Sequence, residues 1–189
     1  MTKNNSPILI GISGKKRRGK DTVCDILLKL VPGAMRMAFA DPLKDEVAAA
    51  CGVSREFLEQ YKANFRQILQ GWGTEFRREL YSQTYWIDQT ELRLEAAKAA
   101  KVPLVIITDV RFPNEWEFII AHGGHTIRVF RDSLAADTDT HPSETALDSH
   151  TFDWWVDNNH SLEALEENVK GVWDSIQKME MEEGLLAGS

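Results

Sequence analysis

The sequence lacks the features of disulfide-rich, membrane-spanning and nucleic-acid-coating proteins. Its two cysteines, Cys24 and Cys51, are too few for a disulfide framework, and each falls in a helical pattern typical of a buried thiol. No apolar run is long enough to span a bilayer and no apolar leader begins the chain, so we expect a cytoplasmic protein without membrane contact. The net charge of −7 disfavours general nucleic-acid binding.

The composition suits one α/β domain. The 189 residues are 43% hydrophobic and 27% charged, which fits a globular unit with a sizeable core. Strand-like and helix-like segments alternate, which predicts a mostly parallel central sheet with helices on both faces. The sequence shows no repeat or separate linker, so we expect residues 1–189 to form one domain with a small inserted lid or substrate segment.

Local signals predict where each element begins and ends. We predict strands over 7–13, 34–40, 102–110, 125–130 and 152–156. We predict helices over 20–30, 42–50, 55–61 with Ser54 as its cap, 64–80 and 85–100, and further helices that begin at 113 and 161. Asp41 is expected to cap the second helix, and Gly71 and Gly73 to interrupt the fourth. The last residues, 184–189, are expected to fray.

The segment ILIGISGKKRRGKDT, residues 8–22, predicts a phosphate-binding P-loop. Gly14, Gly19 and Lys20 fit the frame G-x-x-x-x-G-K between an apolar strand and a helix. The glycines let backbone N–H groups face phosphate oxygens, and the helix start adds positive potential. Lys20 supplies a mobile cation for the outer phosphates. We therefore expect a nucleoside triphosphate site rather than an ordinary strand–helix turn.

Two features of this loop leave alternatives open. Asp21 follows the lysine where most P-loops have Ser or Thr, with Thr22 one residue later. Asp21 would either ligate Mg²⁺, directly or through water, or merely favour the helix start, and Thr22 would contact an inner phosphate. The basic run 15–18 adds potential around a polyphosphate, with Lys15 and Arg17 as expected contacts. Alone, the run would also fit a nucleic-acid patch or a targeting signal.

Asp109 and Arg111 lie at the expected carboxyl end of the central strand, where ligands bind in open α/β sheets. Asp109 would orient Mg²⁺ or its water shell, and Arg111 would grip a phosphate with its planar guanidinium. The alternative is a simple ion pair between them. We favour a catalytic role for both.

The helical segment 41–100 carries a polar set suited to a nucleoside monophosphate, which needs cations for its phosphate and polar partners for its base. The expected substrate contacts are Asp41, Lys44, Arg66, Gln70, Trp72, Thr74 and Arg77. Trp72 and Trp86 would either stack on the base or belong to the core. Any single member of the set is at least as well explained by a solvated helix face. Only the group as a whole favours a substrate pocket.

A third set, Arg128, Arg131, His141, Ser143 and Glu144, flanks a polar loop that we predict to be a lid over 131–145. Arginines on a closing loop neutralise a moving phosphoryl group and exclude water. Arg131 is therefore a catalytic candidate with Lys20, and Glu144 a substrate-binding candidate. His141 and Glu144 lack the Cys/His cluster of a zinc site.

Five segments together resemble the deoxynucleoside monophosphate kinases of tailed bacteriophages. They read GISGKKRRGKDT, FADPLKDEVA, LQGWGTEFRREL, ITDVRFPNEWE and HPSETAL, and the resemblance spans about residues 8–160. It implies a three-layer P-loop kinase fold with a short lid, related to adenylate kinase. It also implies transfer of the ATP γ-phosphoryl, with Mg²⁺, to a deoxynucleoside monophosphate. The aspartate after the P-loop lysine is shared with this family.

Other hypotheses remain open. An animal-type phosphomevalonate kinase shares the G-K-D P-loop and a later Ser-Glu segment, but FADPLK and DVRFPNE fit the nucleotide kinase better. A nucleotide-binding regulator would bind ATP with little transfer, and arginines on both flanks of the P-loop disfavour it. The expected partners are ATP and a monophosphate, without nucleic acid or membrane, and a homodimer is kept open.

Overall fold

The computed structural model describes residues 6–132 and 142–186 of the chain. Over these residues, five strands form one sheet in the order β2-β3-β1-β4-β5. The strands are β1 (Ile8–Ser13), β2 (Met35–Met37), β3 (Leu104–Val110), β4 (His125–Phe130) and β5 (Trp154–Asp157). Every pairing between neighbours is parallel, which confirms the predicted sheet.

Helices connect the strands and cover the sheet. They are α1 (Lys20–Leu30), α2 (Ala40–Cys51), α3 (Arg55–Gln60), α4 (Arg66–Gln70), a π-helix (Gly71–Glu79), α5 (Tyr85–Ala99), α6 (Pro113–Ala121), α7 (Pro142–Thr145) and α8 (Leu162–Leu186). Within the described ranges, none of these helices is both long and apolar enough to cross a membrane.

Alternate residues of β1 and β3 pack into two hydrophobic cores, one on each face of the sheet. Ile10 and Ile106 pack with α1 and α8 on one face. Leu9 and Ile107 pack with α5 and α6 on the other. Because both faces are covered, the central strands are mostly apolar, and the helix–sheet–helix arrangement gives the expected three layers.

The predicted interruption of the fourth helix takes the form of a change of helix type at Gly71. The α-helix α4 ends at Gln70, and the π-helix over Gly71–Glu79 follows it directly. Packing on α2 accounts for the glycine at 73, because a Cβ atom there would lie 2.8 Å from Leu43 Cδ2. The glycine permits close approach of two helices here and does not break one.

The predicted cap of α2 is also wrong. The helix begins at Ala40 with Phe39 as its N-cap, so Asp41 lies inside the first turn. The Phe39 and Ala40 N–H groups donate to Asp109 Oδ1 and Oδ2 at 2.7 and 3.0 Å. A carboxylate from the end of β3 thus satisfies the helix start, and the Asp41 carboxylate accepts instead from Arg55 at 2.8 Å.

The remaining differences lie at element ends. The second strand covers only 35–37, because the chain turns early into α2, and β5 begins at Trp154 rather than at 152. The C-terminal helix runs to Leu186, so the fraying predicted from Gly184 is wrong up to that residue. Most of the predicted lid, including His141, lies outside the described residues, and α7 forms its final part.

Candidate active site

The P-loop lies where the sequence predicts, between the carboxyl end of β1 and the start of α1. Gly14 and Gly19 have φ angles of +154° and +99°. A Cβ atom on Gly14 would lie 2.6 Å from the Val129 carbonyl oxygen, and one on Gly19 would lie 2.2 Å from Asn158 Nδ2. Both positions therefore require glycine for backbone conformation and for close approach.

The start of α1 is arranged for an anion. Its N-cap, Gly19, has no side chain to bond the first helical amides, so no cap oxygen competes with an incoming anion. Asp21 is exposed in the first turn and Thr22 is half-buried. Arg17 adopts a φ of +62°, which is uncommon for a residue other than glycine. These residues place both charges and backbone donors at the mouth of the loop.

A cavity of about 440 Å³ opens beside the helix start. Its lining residues are Arg17, Gly19, Lys20, Asp21, Thr22, Arg131, Asn158, His160, Leu162 and Leu165. Asn158 Nδ2 donates to the Arg18 carbonyl oxygen at 2.9 Å, which fixes the loop after β5 against the P-loop. The structure therefore brings the predicted Arg131 together with the predicted P-loop contacts.

Lys20 is folded back over its own loop. Its Nζ donates to the carbonyl oxygens of Gly14 and Lys15 at 2.6 and 2.9 Å. Burial, and after it the nearby Arg111 cation, lowers the pKa of Lys20 to about 8 against the opposing charges of Glu144, Asp21 and Asp109. The Arg111 charge is thus close enough to act on Lys20.

Arg111 is held beside the P-loop by Glu144. Arg111 Nη1 donates to Glu144 Oε1 at 2.7 Å, and the Lys16 N–H donates to Glu144 Oε2 at 2.8 Å. The Glu144 side chain is only 5% exposed, whereas that of Arg111 is 36% exposed. A buried carboxylate therefore joins a P-loop amide to the cation at the end of β3, where both groups could also bind phosphate.

The Asp109 carboxylate is occupied by hydrogen bonds from the backbone. Both of its oxygens accept N–H groups at the start of α2. Burial raises the pKa of its carboxyl against those two hydrogen bonds and the Arg111 charge. Asp109 therefore ties β3 to the helical segment, and its metal-orienting role stays a prediction.

A second cavity of about 470 Å³ lies on the other side of Arg131. Lys15 and Arg128, on its wall, both pair with Asp148, at 3.4 and 2.7 Å. Arg128 also donates to Ser13 Oγ at 3.0 Å. These contacts hold β4 against β1 and the P-loop, so Arg128 has a structural role here.

The predicted acceptor residues fall into two groups. Lys44 donates to Glu59 Oε1 at 2.6 Å, and Arg55 joins Asp41 to the same carboxylate. Trp72 Nε1 and Arg77 Nε both donate to Glu46 Oε2 at 2.9 Å.

The Tyr85 hydroxyl also donates to Glu46. The Arg77 guanidinium lies 4.7 Å from the centre of the Tyr85 ring. Arg66, Gln70 and Thr74 are exposed. Trp86 is 3% exposed and donates to the Gly73 carbonyl oxygen, so of its two alternatives the structure supports a core residue.

Sequence reasoning missed four residues of this region: Glu46, Arg55, Lys62 and Glu115. The signal for Arg55 was its i, i+4 spacing from Glu59. The signal for Glu115 was its place three residues after the N-cap of α6, which is typical of a capping box. Burial, then Lys44, lowers the pKa of Lys62, and Arg111 acts in the same direction. Lys62 therefore adds a cation to this side of the site.

Among the described residues, no group of three or more His, Cys, Asp or Glu side chains could hold a metal unaided. Mg²⁺ does not require such a group, because it keeps several waters and binds through substrate phosphates and one or two carboxylates. Asp21, exposed at the P-loop mouth, fits that role. Asp109 fits it less well, since both of its oxygens already accept backbone N–H groups.

The parallel sheet and the P-loop at the end of its central strand define a P-loop kinase fold. TT1252 from Thermus thermophilus shares it with a TM-score of 0.51 and 20% identity, over 90% of this chain and 98% of that one. Dephospho-CoA kinase from Campylobacter jejuni shares it with a TM-score of 0.52 and 12% identity, over 89% and 96%. At these identities the likeness concerns the fold alone.

The chain belongs to the deoxynucleotide monophosphate kinase family, whose model matches residues 52–169. The predicted family is thereby confirmed, and the chain is a kinase by membership. An Acanthamoeba polyphaga mimivirus protein, whose name gives deoxynucleotide monophosphate kinase as a provisional activity, is 29% identical over 197 residues. That match covers 91% of this chain and 99% of the mimivirus protein.

The uncharacterized protein ORF77 of Ictalurid herpesvirus 1 is 26% identical over 162 residues, which covers 85% of this chain and 68% of ORF77. Neither relative comes from a bacteriophage, so a bacteriophage origin for this chain stays a prediction.

Proposed function

We propose that this kinase transfers the γ-phosphoryl group of ATP to a deoxynucleoside 5′-monophosphate and releases the diphosphate and ADP. One observation carries the proposal. Glu144 holds Arg111, the residue after β3, against the P-loop amide of Lys16 at 2.7 and 2.8 Å, and the Arg111 charge acts on Lys20 of the same loop. A single phosphate group does not need both cations, whereas a phosphate moving between donor and acceptor does. Membership in the family supports the same acceptor class.

On the donor side, the P-loop amides and Lys20 bind the ATP phosphates, with Lys15, Arg17 and Thr22 as further contacts. The cavity beside α1 receives the rest of the nucleotide. Its volume of about 440 Å³ is within the range of small-molecule and cofactor pockets. Asn158 and His160 offer polar groups there, and Arg131 lies at its edge.

Bound together with the nucleotide, Mg²⁺ would supply positive charge at the outer phosphates. Asp21 would hold it directly or through water, with Thr22 nearby. Asp109 would act at most through the water shell, because its oxygens cap α2. The protein's own contribution is then to orient the phosphates and to exclude water.

On the acceptor side, the monophosphate lies between Arg111 and the helical segment 41–100. Arg66, Gln70 and Thr74 contact it directly, and Lys44 adds a cation near its phosphate. Trp72 and Arg77 form one wall whose geometry is set by Glu46. Asp41 acts through Arg55, with which it pairs at 2.8 Å.

The transfer itself needs no general base. The second pKa of a phosphate monoester is about 6, so the acceptor oxygen is already ionised at neutral pH. Lys20, Arg111 and Arg131 supply positive charge where it builds up on the moving group. Glu144 holds Arg111 beside the P-loop until a phosphate takes its place.

The test is a coupled assay of ADP formation over a panel of deoxynucleoside and ribonucleoside monophosphates, with mevalonate 5-phosphate as a separate arm. We expect ADP only when a deoxynucleoside monophosphate is present, and a matching diphosphate identified by mass spectrometry. Turnover with mevalonate 5-phosphate alone would favour a phosphomevalonate kinase. ATP binding without transfer to any acceptor would favour a regulator.

A further inference from the structure

Glu115 is a buried carboxylate whose two oxygens serve different parts of the molecule. It is 3% exposed at the start of α6. Its Oε2 accepts the N–H groups of Arg111 and Phe112 at 2.8 and 3.2 Å. Its Oε1 accepts Arg78 Nη2 at 2.9 Å. One oxygen therefore fixes the backbone of the phosphate-binding arginine, while the other holds a residue of the π-helix.

Arg78 makes two contacts at this point. Besides its ion pair with Glu115, its guanidinium lies 4.6 Å from the centre of the Phe112 ring. Elsewhere the π-helix contacts other parts of the helical segment, since Gly73 packs on Leu43 of α2 and accepts Trp86 Nε1 of α5. The Arg78 contacts thus connect the proposed acceptor segment to the β3–α6 connection that carries Arg111.

We propose that Glu115 is a positioning residue that sets the acceptor segment relative to Arg111. The inference rests on the proposed function, since it assumes that segment 41–100 binds the monophosphate. With Glu115 in place, the Arg111 backbone and the π-helix are fixed by the same side chain. Acceptor and cation therefore keep their mutual distance without direct contact between Glu115 and either substrate.

A helix cap alone does not explain a carboxylate here. A neutral amide oxygen would accept the same two N–H groups, because Gln serves as well as Glu at this position of a capping box. Burying a charge is costly unless it is paired and hydrogen-bonded, and Asp109 nearby adds repulsion. The contact with Arg78 is the ion pair of Glu115, so it is the contact that an amide would lose outright.

Two substitutions distinguish the helix-capping role of Glu115 from its link to the π-helix, which is the ion pair with Arg78. Glu115→Gln keeps an acceptor for the Arg111 and Phe112 amides but loses the ion pair, and Arg78→Met loses it from the other side. We expect each to raise the KM for the deoxynucleoside monophosphate about tenfold, as loss of a charged hydrogen bond would. We expect the KM for ATP to stay unchanged, the double variant to be no worse than either single one, and Arg78→Lys to restore part of the loss.

Arg93→Met is the matched control, because Arg93 forms an exposed ion pair with Asp45 inside the same helical segment. It should leave both KM values unchanged. A second readout does not depend on activity. Hydrogen exchange of the π-helix amides, 71–79, should be faster in Glu115→Gln and Arg78→Met than in the control, while β1 stays protected.

The outcomes are distinct. Unchanged exchange in both variants overturns the link itself. Faster exchange with unchanged KM for the monophosphate makes Glu115 structural and overturns the positioning role. If the wild-type protein phosphorylates no monophosphate, the proposed function fails and the positioning role falls with it, whereas exchange still decides whether Glu115 docks the π-helix.

Discussion

Arg111 and Glu144 form an ion pair of 2.7 Å across the mouth of the P-loop, and the second oxygen of Glu144 accepts the Lys16 amide at 2.8 Å. The carboxylate thus occupies two groups that are suited to phosphate. A charged acceptor in that position competes with an incoming anion and also stabilises the cations while the site is empty. Glu144, in α7, therefore contacts both a P-loop amide and the arginine proposed to bind the moving phosphate.

Glu144→Gln should strengthen the binding of ATP. The amide can still accept hydrogen bonds, but it no longer competes as an anion, so we expect an affinity gain of up to about tenfold. Isothermal titration calorimetry with ATP at neutral pH measures it. Glu91→Gln is the matched control, because Glu91 of α5 pairs with His122 at the end of α6, and neither residue lines the two cavities beside the P-loop. Weaker ATP binding in Glu144→Gln would mean that the carboxylate contacts the substrate favourably.

ATP binding should take up a proton near pH 8. The pKa of Lys20 is lowered to about 8 by burial and by Arg111. Bound phosphates favour the charged lysine and raise that pKa, so affinity should fall as the pH rises through about 8. Calorimetry in buffers with different ionisation enthalpies measures the proton uptake. Equal heats in all buffers at this pH would contradict the assignment.

Lys20→Met should remove turnover without lowering stability. The folded pKa lies below the usual value of 10.5, so burial of the charged form opposes folding at neutral pH. Replacing the cation with an apolar chain removes this cost, and we expect an unchanged or higher Tm together with loss of ADP formation. A variant that retains a near-wild-type rate would refute the role of the P-loop lysine.

The P-loop and most elements could be predicted because their signals are local. β4 has its predicted bounds, His125–Phe130, since alternating apolar residues lie between two glycines and a polar loop. Gly14 and Gly19 could be recognised from spacing alone, although the contacts that require glycine come from β4 and from the loop after β5. Local patterns therefore gave the donor side of the site.

The acceptor side could not be predicted to the same depth, because long-range contacts decide it. Asp41 looks like a helix cap until Asp109, from the end of β3, takes that place. Gly73 looks like a helix breaker until α2 packs against it. No local pattern indicates that Glu46 would hold both Trp72 and Arg77, since these partners come together only in the folded chain.

Glu115 should make stability pH-dependent. Burial, then Asp109, raises the pKa of its carboxyl from 4.5 to about 7. The folded state then binds this proton more tightly than the unfolded state, so the contribution of Glu115 to stability falls as the pH rises from about 4.5 to 7. The free energy of unfolding of wild type minus that of Glu115→Gln, from urea denaturation, should therefore decrease across this range. A difference that stays constant with pH would show that Glu115 titrates normally.

Substitutions of Asp109 and Asp21 should have different effects on stability and on the Mg²⁺ dependence of the rate. Asp109→Asn loses one of two acceptors for the start of α2, which should lower the free energy of unfolding by about 1–2 kcal/mol while the Mg²⁺ dependence of the rate stays the same. Asp21→Asn should leave stability almost unchanged, because its side chain is exposed, and should raise the Mg²⁺ concentration needed for half-maximal rate. Thermal unfolding and rates over a Mg²⁺ series measure both effects. If Asp109→Asn instead shifts the Mg²⁺ dependence at unchanged stability, the carboxylate at the end of β3 belongs to the metal site and the capping role assigned to it is secondary.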